Sequence, residues 1–385
     1  MLISRVILKN WRNFQDVNVE LGTRAYLIGA NASGKSNFLE VFRFLRDLAK
    51  ISGGGLQEAV RNRGGLSKLR SLHARRNPEV RIEVHLSDSA ADLKPEWIYV
   101  LAFRAESTGM HRVLITDESV NHRGKILLSR PTKDDATDVD RLTQTHLEQI
   151  NNNSKFRQIA EHFQATTYLH LVPQLLKHAG EIAGRHVESD PFGQGLLQQI
   201  AKTPPKARDA RLKRVQQALA AAVPQFSELH FKQDPVTGFP HLETKFLHWR
   251  PQGAWQREDQ FSDGTLRLIG LLWALQDGDG ALLLEEPELS LNDAIVALIP
   301  LMIDRVLRKR AQLSRQVILS THSAKLLSRL RDPESVLLLI PGASGTTVRN
   351  PNAHEMAAMK AGLNAAEVLL PKTRPQNIEQ LGLFE

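Results

Sequence analysis

Gly29-Ala-Asn-Ala-Ser-Gly-Lys-Ser36 is the most informative stretch of the sequence, because it follows the pattern G-x-x-x-x-G-K-[ST]. In such a P-loop, two glycines let the backbone wrap a phosphate, the lysine reaches the β- and γ-phosphates, and the last hydroxyl can ligate Mg²⁺. A helix beginning at Ser36 would direct its positive end toward the bound anion. The predicted nucleotide-binding residues of the loop are Gly29, Asn31, Ala32, Ser33, Gly34, Lys35, Ser36 and Asn37.

The segments on either side of the loop support this interpretation. Arg24–Gly29 reads as a short buried strand that enters the loop, and Asn37–Arg46 reads as a helix that leaves it. In the second segment the apolar residues recur at nearly helical spacing. The alternative is a glycine-rich turn with an incidental lysine, and it does not account for both flanks.

Composition narrows the class of protein. The 385 residues suggest two to three domain-sized units, or one large α/β domain with an insertion. The chain has no cysteine, which excludes disulfides and thiolate metal sites and suits a cytoplasmic location. No apolar run approaches the roughly 18–20 residues of a membrane helix, and the N-terminus lacks a signal-peptide pattern. A net charge of +8 permits nucleic-acid binding.

The chain reads as β-rich, then helical, then β-rich again. Strands are expected at Ile3–Leu8 and Asp16–Leu21, and the alternating segments between residues 79 and 130 suggest an antiparallel sheet. Residues 226–249 read as a hairpin, and one short helix is expected at about Ala353–Leu369. Helical patterns between these regions occur at Leu142–Ile150, Phe156–Phe163, Gln194–Ile200 and Ala207–Val223.

Basic residues concentrate between Arg61 and Arg81, where seven arginines and lysines accompany one acid, Glu79. Such a patch could contact a phosphate backbone. The alternative is a solvated loop on a basic protein, and the absence of interleaved aromatic residues weakens a role in single-strand stacking. Arg308-Lys-Arg310 adds further basic surface.

Three more motifs follow the P-loop in order. Phe261-Ser-Asp-Gly-Thr265 precedes a helical pattern, and its Ser262 can cap that helix. Ala281-Leu-Leu-Leu-Glu-Glu-Pro-Glu288 is an apolar strand that ends in carboxylates, and a strand buried on both faces is expected to end at the same sheet edge as the P-loop. Gln316–Ser323 is a second buried strand, which ends in His322.

Together with the aromatic turn Lys9–Phe14 near the start of the chain, these motifs resemble those of the ABC-type ATPase heads of the RecF, SMC and OLD group, specifically the small stand-alone ATPases of bacteria. The resemblance covers about residues 1–130 and 224–350. It implies an α/β fold, a P-loop NTPase ABC-type head with a mixed-sheet core, an antiparallel β-lobe and a helical insertion. The implied segments are an N-terminal half-head at 1–130, a helical insertion at 131–223 and a C-terminal half-head at 224–385.

The resemblance also implies a role for each motif. Ser262, Asp263 and Gly264 match the ABC signature, which in such heads contacts the γ-phosphate of ATP held by the opposite subunit. Glu285 would hold Mg²⁺ together with Ser36, and Glu286 would deprotonate the attacking water. The implied catalytic residues are Glu286, His322 and Lys35, and Arg12 and Asn13 would lie near the nucleotide.

The sequence departs from the family pattern at four points. Asp263 replaces the first signature glycine, Thr265 replaces the signature glutamine, and Glu285 stands where aspartate is usual. The glutamine loop of ABC-type heads is not located, since Gln57 is the only glutamine between Gln15 and Gln144.

The function implied is an ATPase that forms a homodimer around ATP and Mg²⁺ and acts as a conformational switch on DNA or on a separately encoded effector, such as a nuclease, in anti-phage defence. RecF-like DNA repair and a nucleotide-gated scaffold with little hydrolysis are the alternatives. A transporter subunit is disfavoured because the segment between the P-loop and the signature is too long. A small-molecule kinase is disfavoured by the signature and His322. The tail after Pro371 is too short for the nuclease domain fused to OLD proteins.

Overall fold

The computed structural model describes residues 1–74, 78–89, 92, 94–106, 112–179, 192–247, 254–309 and 315–374, with Ala254 and Lys309 described in backbone only. Two compact units account for the chain. The first unit comprises Met1–Thr166, Asp279–Leu283 and Leu307–Glu385, and the second comprises Thr167–Gly278 and Leu284–Val306. None of the described helices has both the length and the apolar character needed to cross a bilayer.

The first unit contains two β-sheets. Their strands are β1 (Leu2–Trp11), β2 (Phe14–Glu20), β3 (Arg24–Gly29), β4 (Val80–Ser87), β5 (Trp97–Ala105), β6 (Val113–His122), β7 (Lys125–Arg130), β13 (Val317–Ser320), β14 (Val336–Gly342) and β15 (Gly345–Arg349). The antiparallel sheet has the order β2-β1-β4-β5-β6-β7. In the other sheet β3 lies between the parallel strands β13 and β14, and β15 pairs with β14 in the antiparallel sense.

The strands of the second unit are β8 (Thr167–Leu169), β9 (Phe226–Gln233), β10 (Pro240–Phe246) and β11 (Ala254–Arg257). The last three form an antiparallel sheet of order β11-β10-β9. The strand β12 (Leu282–Glu285) begins in the first unit, where the Leu282 amide donates to the Gln316 carbonyl, and ends in the second unit, where β8 is its neighbour.

The described α-helices are mostly short. Those of the first unit are Lys35–Ala49, Leu56–Arg61, Leu66–Leu69, Lys133–Thr137, Arg157–Gln164, Ala324–Leu327, Ala353–Lys360 and Ala365–Leu369. Those of the second unit are Pro173–Lys177, Leu196–Lys202, Pro205–Ala222, Asp263–Gln276 and Asp293–Val296. Ile299–Lys309 begins in the second unit and ends in the first. Single 3₁₀ turns occur at Val139–Thr143, Glu258–Gln260, Pro333–Ser335 and Leu370–Thr373.

Apolar periodicity accounts for the elements that the sequence predicts correctly. In β4 every second side chain, beginning at Val80, is buried, as the alternation requires. In the helix Pro205–Ala222 the buried side chains are Leu212, Val215 and Leu219, which recur at helical spacing. They join the apolar core of the second unit. Pro205 begins that helix, where a missing N–H costs nothing.

The helix predicted at Leu142–Ile150 is wrong, because the structure has only a 3₁₀ turn and irregular turns there. The reason is a buried carboxylate. Glu118 on β6 accepts hydrogen bonds from the amides of His146 (2.9 Å) and Leu147 (3.1 Å), which a helix would have used internally. The single helix predicted near the C-terminus is also wrong. It is divided at Gly362, whose φ of +112° favours glycine, and Asn364 caps the second part.

The boundary between the two compact units at Thr166 differs from the segment boundaries inferred from the sequence. The helices between Lys133 and Gln164 belong to the first unit, although they fall in the inferred insertion at 131–223. The hairpin β9–β10 belongs to the second unit. The division into segments 1–130, 131–223 and 224–385, which was inferred from the sequence, therefore stays a prediction.

A buried ion cluster fixes the irregular segment after β7. Arg130 donates to Glu118 (3.0 Å) and to Asp135 (2.8 Å), and the side chains of all three are at most 1% exposed. Arg130 also donates to the carbonyls of Arg141 and Gln144. The chain thus exchanges helical hydrogen bonds in this segment for charge-assisted ones.

Replacing Arg130 with methionine is expected to lower the free energy of unfolding by about 3–5 kcal/mol, because two buried carboxylates lose their cation. Arg123→Met is the control, since the exposed pair of Arg123 with Glu96 is worth at most about 1 kcal/mol. Urea unfolding of the two variants measures the difference. Equal losses would contradict a dominant role for the buried cluster.

The half-buried side chain of His162, with its Nε2 atom buried, predicts acid sensitivity. Burial lowers the pKa of His162 from its ordinary value to about 4, and its Nε2 has no hydrogen-bond partner among the described residues. The unfolded chain takes up this proton below about pH 6.5, whereas the folded chain does so only near pH 4. Stability is therefore expected to fall as the pH drops from 6.5 to 4. His162→Gln should reduce that slope in urea titrations, and an unchanged slope would contradict the assignment.

Candidate functional site

The P-loop follows the central parallel strand of its sheet. It leaves β3 at Gly29, passes through Ala32 at φ +61° and Gly34 at φ +99°, and enters a helix at Lys35, one residue before the predicted start. Because β13 and β14 run parallel to β3 on either side, the loop lies at the carboxyl edge of the sheet. In open α/β sheets this edge is where ligands bind.

The two glycines of the loop are required by close packing. A Cβ on Gly34 would lie 2.2 Å from Nδ2 of Asn13, and a Cβ on Gly29 would lie 2.7 Å from the carbonyl oxygen of Leu339 on β14. Both distances are shorter than a Cβ tolerates, and at Gly34 the positive φ adds backbone strain for any other residue. The turn between β1 and β2, together with β14, therefore leaves no room for a side chain at these two positions.

The loop suits an anion at its centre. The helix Lys35–Ala49 has Gly34 as its N-cap, with no side-chain capping hydrogen bond. The first amides of a helix lack intrahelical partners and, with the helix dipole, favour negative charge. Lys35 Nζ lies over the loop, 3.1 Å from the carbonyl oxygens of both Gly29 and Ala30. A phosphate would thus meet backbone amides and one ammonium group.

Asn13 holds the loop in place. Its Nδ2 donates to the Ser33 carbonyl (3.0 Å) and to Thr346 Oγ1 (2.8 Å), and its Oδ1 accepts from Asn37 Nδ2 (2.8 Å). The amides of Asn13 and Asn37, both predicted nucleotide contacts, therefore hydrogen-bond each other within the protein. Thr346 was not identified from the sequence, because it lies far along the chain on β15 and belongs to no motif.

Arg12 lies beside the P-loop helix in a group of charged side chains. Its backbone is left-handed (φ +49°), and burial lowers the pKa of its guanidinium while the Glu40 carboxylate opposes that shift. Arg43 and Arg63 also face this group, and Arg63 binds Glu40 (2.7 Å) and Asp47 (2.9 Å).

This group of charged side chains changes the interpretation of the basic patch at residues 61–81. The side chain of Arg63 is only 6% exposed, so Arg63 is not available for a phosphate backbone. Arg61 pairs with Glu58, and Arg81 pairs with Asp117 (2.7 Å). Arg75, Arg76 and Arg310 lie outside the described residues. The patch is less uniformly basic than its sequence predicts.

His322 follows β13 at the same sheet edge as the P-loop. Ser320, the last residue of β13, is in register with Leu27 of β3, and the Thr321 amide donates to the Leu27 carbonyl (3.1 Å). His322 is exposed, and Ser323 caps the helix that follows it. The first unit therefore brings together the P-loop, Arg12, Asn13 and His322.

The second unit holds the carboxylates that end β12. Leu284 is fully buried, whereas Glu285 and Glu286 are half-buried. The phenol of Tyr168 donates to Glu285 Oε2 (2.5 Å), and Nδ1 of His170 lies 3.4 Å from the Glu285 carbonyl oxygen. Glu286 adopts a left-handed backbone at φ +44°, which is uncommon for a residue with a side chain. Such strain is frequent at functional sites.

The signature-like motif is the start of the helix Asp263–Gln276. Ser262 caps it, as predicted, by accepting from the Thr265 amide (3.2 Å). Gly264 is required by a close contact, since its Cβ would lie 2.5 Å from the Ser290 carbonyl oxygen. The start of this helix therefore packs closely against the backbone of the chain after Glu288.

Asp263 is held by a neighbouring helix. Gln174 donates to Oδ2 (2.6 Å) and Lys177 to Oδ1 (2.9 Å), and the Lys177 ammonium holds the pKa of Asp263 below its ordinary value. One turn further along the same helix, burial lowers the pKa of the Arg267 guanidinium, and the carboxylates of Asp263 and Glu286 oppose that shift. Sequence reasoning missed Tyr168, Lys177 and Arg267, because none belongs to a recognised motif.

Gln57 has a structural role. Its Nε2 donates to the carbonyls of Val113 and Thr143 (both 2.8 Å), and its Oε1 accepts from the Val113 amide (3.2 Å). These bonds tie the helix Leu56–Arg61 to the start of β6 and to the segment after β7. The glutamine loop expected from the resemblance stays unassigned.

The residues fit a nucleotide carrying Mg²⁺. The uncapped helix and the glycine packing form a cradle for phosphate, and hard oxygen donors, the exposed hydroxyl of Ser36 and the carboxylate of Glu285, are the ligand types that Mg²⁺ prefers. The two donors belong to different compact units.

Two curated proteins match short stretches of the chain. The DNA replication and repair protein RecF of Bacillus cytotoxicus is 30% identical over 95 residues, which are 24% of this chain and 26% of RecF. Endonuclease GajA of Bacillus cereus is 45% identical over 47 residues, which are 12% of this chain and 8% of GajA. The matched stretches thus span only a minor part of either relative.

Two solved structures share the fold. A crystal structure of an SMC head bound to the C-winged helix domain of ScpA has a TM-score of 0.54 at 15% identity and covers 92% of this chain and 100% of that chain. An SMC head domain with an extended coiled coil, bound to the C-terminal domain of ScpA from Pyrococcus furiosus, has a TM-score of 0.50 at 15% identity, with coverage of 94% and 98%. The predicted fold class, a P-loop ABC-type head, is confirmed.

Residues 25–328 match one protein family over most of the chain. The matched region includes the P-loop, the signature-like motif, the carboxylates of β12 and His322. The protein is therefore an ABC/AAA-type ATPase-domain protein of the RecF/SMC/OLD group and belongs to the family described as "AAA domain, putative AbiEii toxin, Type IV TA system".

Proposed function

We propose that this protein binds ATP with Mg²⁺, hydrolyses it, and uses the cycle as a conformational switch. The observation that supports this most strongly is the P-loop, where two tightly packed glycines and an uncapped 15-residue helix frame Lys35. Phosphates bind such helix starts readily. Family membership supports nucleotide binding, and hydrolysis is our extension of it.

Each candidate residue has a role in this proposal. Lys35 and the amides of the loop from Gly29 to Asn37 bind the phosphates, while Arg12 contributes positive charge nearby. Ser36 and Glu285 hold Mg²⁺, which neutralises charge on the phosphates when it is bound. Glu286 accepts the proton of the attacking water, and His322 contacts the γ-phosphate.

The signature-like motif would act across a homodimer. Ser262, Asp263 and Gly264 at a capped helix start would contact the ATP of a second copy, so that two heads close on two nucleotides. Asn13 supports the arrangement from within its own subunit by holding the loop to Asn37 and Thr346. Hydrolysis would then reopen the dimer.

The output of the switch is proposed to be a partner effector in anti-phage defence. The similarity to an endonuclease and the toxin–antitoxin description of the family favour a nuclease or toxin as the effector, and we take it to be encoded separately. RecF-like DNA repair is the second candidate, favoured by the RecF match and the net charge of +8. A cytoplasmic location is part of either proposal.

Equilibrium ATP binding and phosphate release, measured with Mg²⁺ and with EDTA, test the activity. We expect binding, and many turnovers that require the metal. Binding without turnover would replace the ATPase with a nucleotide-gated scaffold, and no binding would overturn the proposal. Phage plating and survival of DNA damage, compared between cells with the wild-type and the Lys35→Ala chain, separate defence from repair.

A further inference from the structure

One short segment contacts both the acidic end of β12 and the signature-like motif. This segment, Thr167–Lys177, consists of β8 and the helix Pro173–Lys177, and all of its contacts considered below lie within the second unit. At its start, Tyr168 donates to Glu285 Oε2, and His170 lies against the Glu285 carbonyl. At its end, Gln174 and Lys177 both donate to Asp263.

The hydrogen bond from Tyr168 restricts the orientation of the Glu285 carboxylate. A glutamate has one more rotatable bond than the aspartate usual at this position, so its carboxylate samples more orientations before it binds a cation. A hydrogen bond of 2.5 Å from a phenol that is carried by the adjacent strand removes much of that freedom. Groups that orient metal ligands from outside the coordination sphere commonly raise metal affinity by 10–100-fold.

The contacts with Asp263 make the segment Thr167–Lys177 responsive to movement of the helix Asp263–Gln276. Asp263 is the first residue of the signature helix, and its two oxygens bind two side chains one helical turn apart. A displacement of that helix start would therefore pull on Gln174 and Lys177, and through the backbone on Tyr168. Arg267 of the same helix interacts with Glu286, which gives a second route between the two elements.

We propose that Tyr168 is a positioning residue for Glu285, and that the segment Thr167–Lys177 couples the signature-like motif to the affinity of the Glu285 carboxylate for a divalent cation. This proposal rests on the proposed function, because it takes Glu285 as a ligand of the Mg²⁺ that accompanies ATP. It assigns the coupling to a tyrosine, a glutamine and a lysine at positions that no motif predicted. Since coupling is reciprocal, the cation should in turn restrain the signature helix.

Mn²⁺ binding, followed by electron paramagnetic resonance with a non-hydrolysable ATP analogue present, tests Tyr168 without measuring turnover. Tyr168→Phe should weaken Mn²⁺ binding about tenfold, while binding of the analogue in EDTA stays unchanged. Tyr99→Phe is the matched control, because Tyr99 is another tyrosine that donates to a glutamate, Glu118, in the first unit. The control should bind Mn²⁺ as the wild type does.

Lys177→Met tests the coupling, with Lys213→Met on the exposed face of the helix Pro205–Ala222 as its control. Lys177→Met should weaken Mn²⁺ binding several-fold, and its effect should be smaller in the Tyr168→Phe background, because the two residues act through one path. Independent effects would overturn the coupling, and wild-type Mn²⁺ affinity in Tyr168→Phe would overturn the positioning role. If the wild type itself binds neither the analogue nor Mn²⁺, the proposed function fails instead.

Discussion

Replacing Lys35 with alanine is expected to lower the affinity for ATP by about 100-fold and to abolish hydrolysis. The ammonium group lies over the loop, 3.1 Å from two of its carbonyl oxygens, where it would meet the phosphates. Charge-assisted hydrogen bonds contribute roughly 1.5–3 kcal/mol each, and about 2.8 kcal/mol corresponds to the expected loss. Isothermal titration with ATP measures it.

Lys50→Ala is the control for this prediction. Lys50 follows the other end of the same helix, where it pairs with Asp47 (3.5 Å). The control should keep wild-type affinity, and urea unfolding should show that both variants are folded. Equal ATP affinity in Lys35→Ala and Lys50→Ala would place the nucleotide elsewhere.

Replacing Glu286 with glutamine is expected to slow hydrolysis by 10²–10⁴-fold while ATP binding is preserved, because only the proton acceptor is removed. Glutamine has the same shape and can keep the left-handed backbone of φ +44° at no extra steric cost. Single-turnover phosphate release measures the chemical step.

Glu288→Gln provides the matched control, since it neutralises another carboxylate two residues further along the chain. Its hydrolysis rate should stay within a few-fold of wild type. If Glu286→Gln turns over as fast as this control, Glu286 is not the base.

The motifs and the strands near them could be predicted from sequence because their signals are local. The P-loop pattern, the apolar strands β3, β12 and β13, and the capping serine Ser262 each depend on residues close in the chain. Periodicity and capping chemistry are enough to identify such elements.

The parts that sequence reasoning missed depend on contacts between distant residues. Asn13 meets Thr346 only because β15 returns beside β2, and Tyr168 meets Glu285 only because β8 lies beside β12. The failed helix at Leu142–Ile150 has the same cause, since Glu118 takes its amides. A helical pattern in sequence cannot reveal a buried carboxylate that competes for its backbone.

The molar mass of Glu286→Gln, measured by light scattering with and without ATP, shows whether ATP brings two chains together. We expect the mass of one chain without nucleotide and of two chains with Mg²⁺ and ATP, and the pair should persist because hydrolysis is blocked. A mass that does not respond to ATP, in a variant that demonstrably binds it, would contradict an ATP-driven dimer.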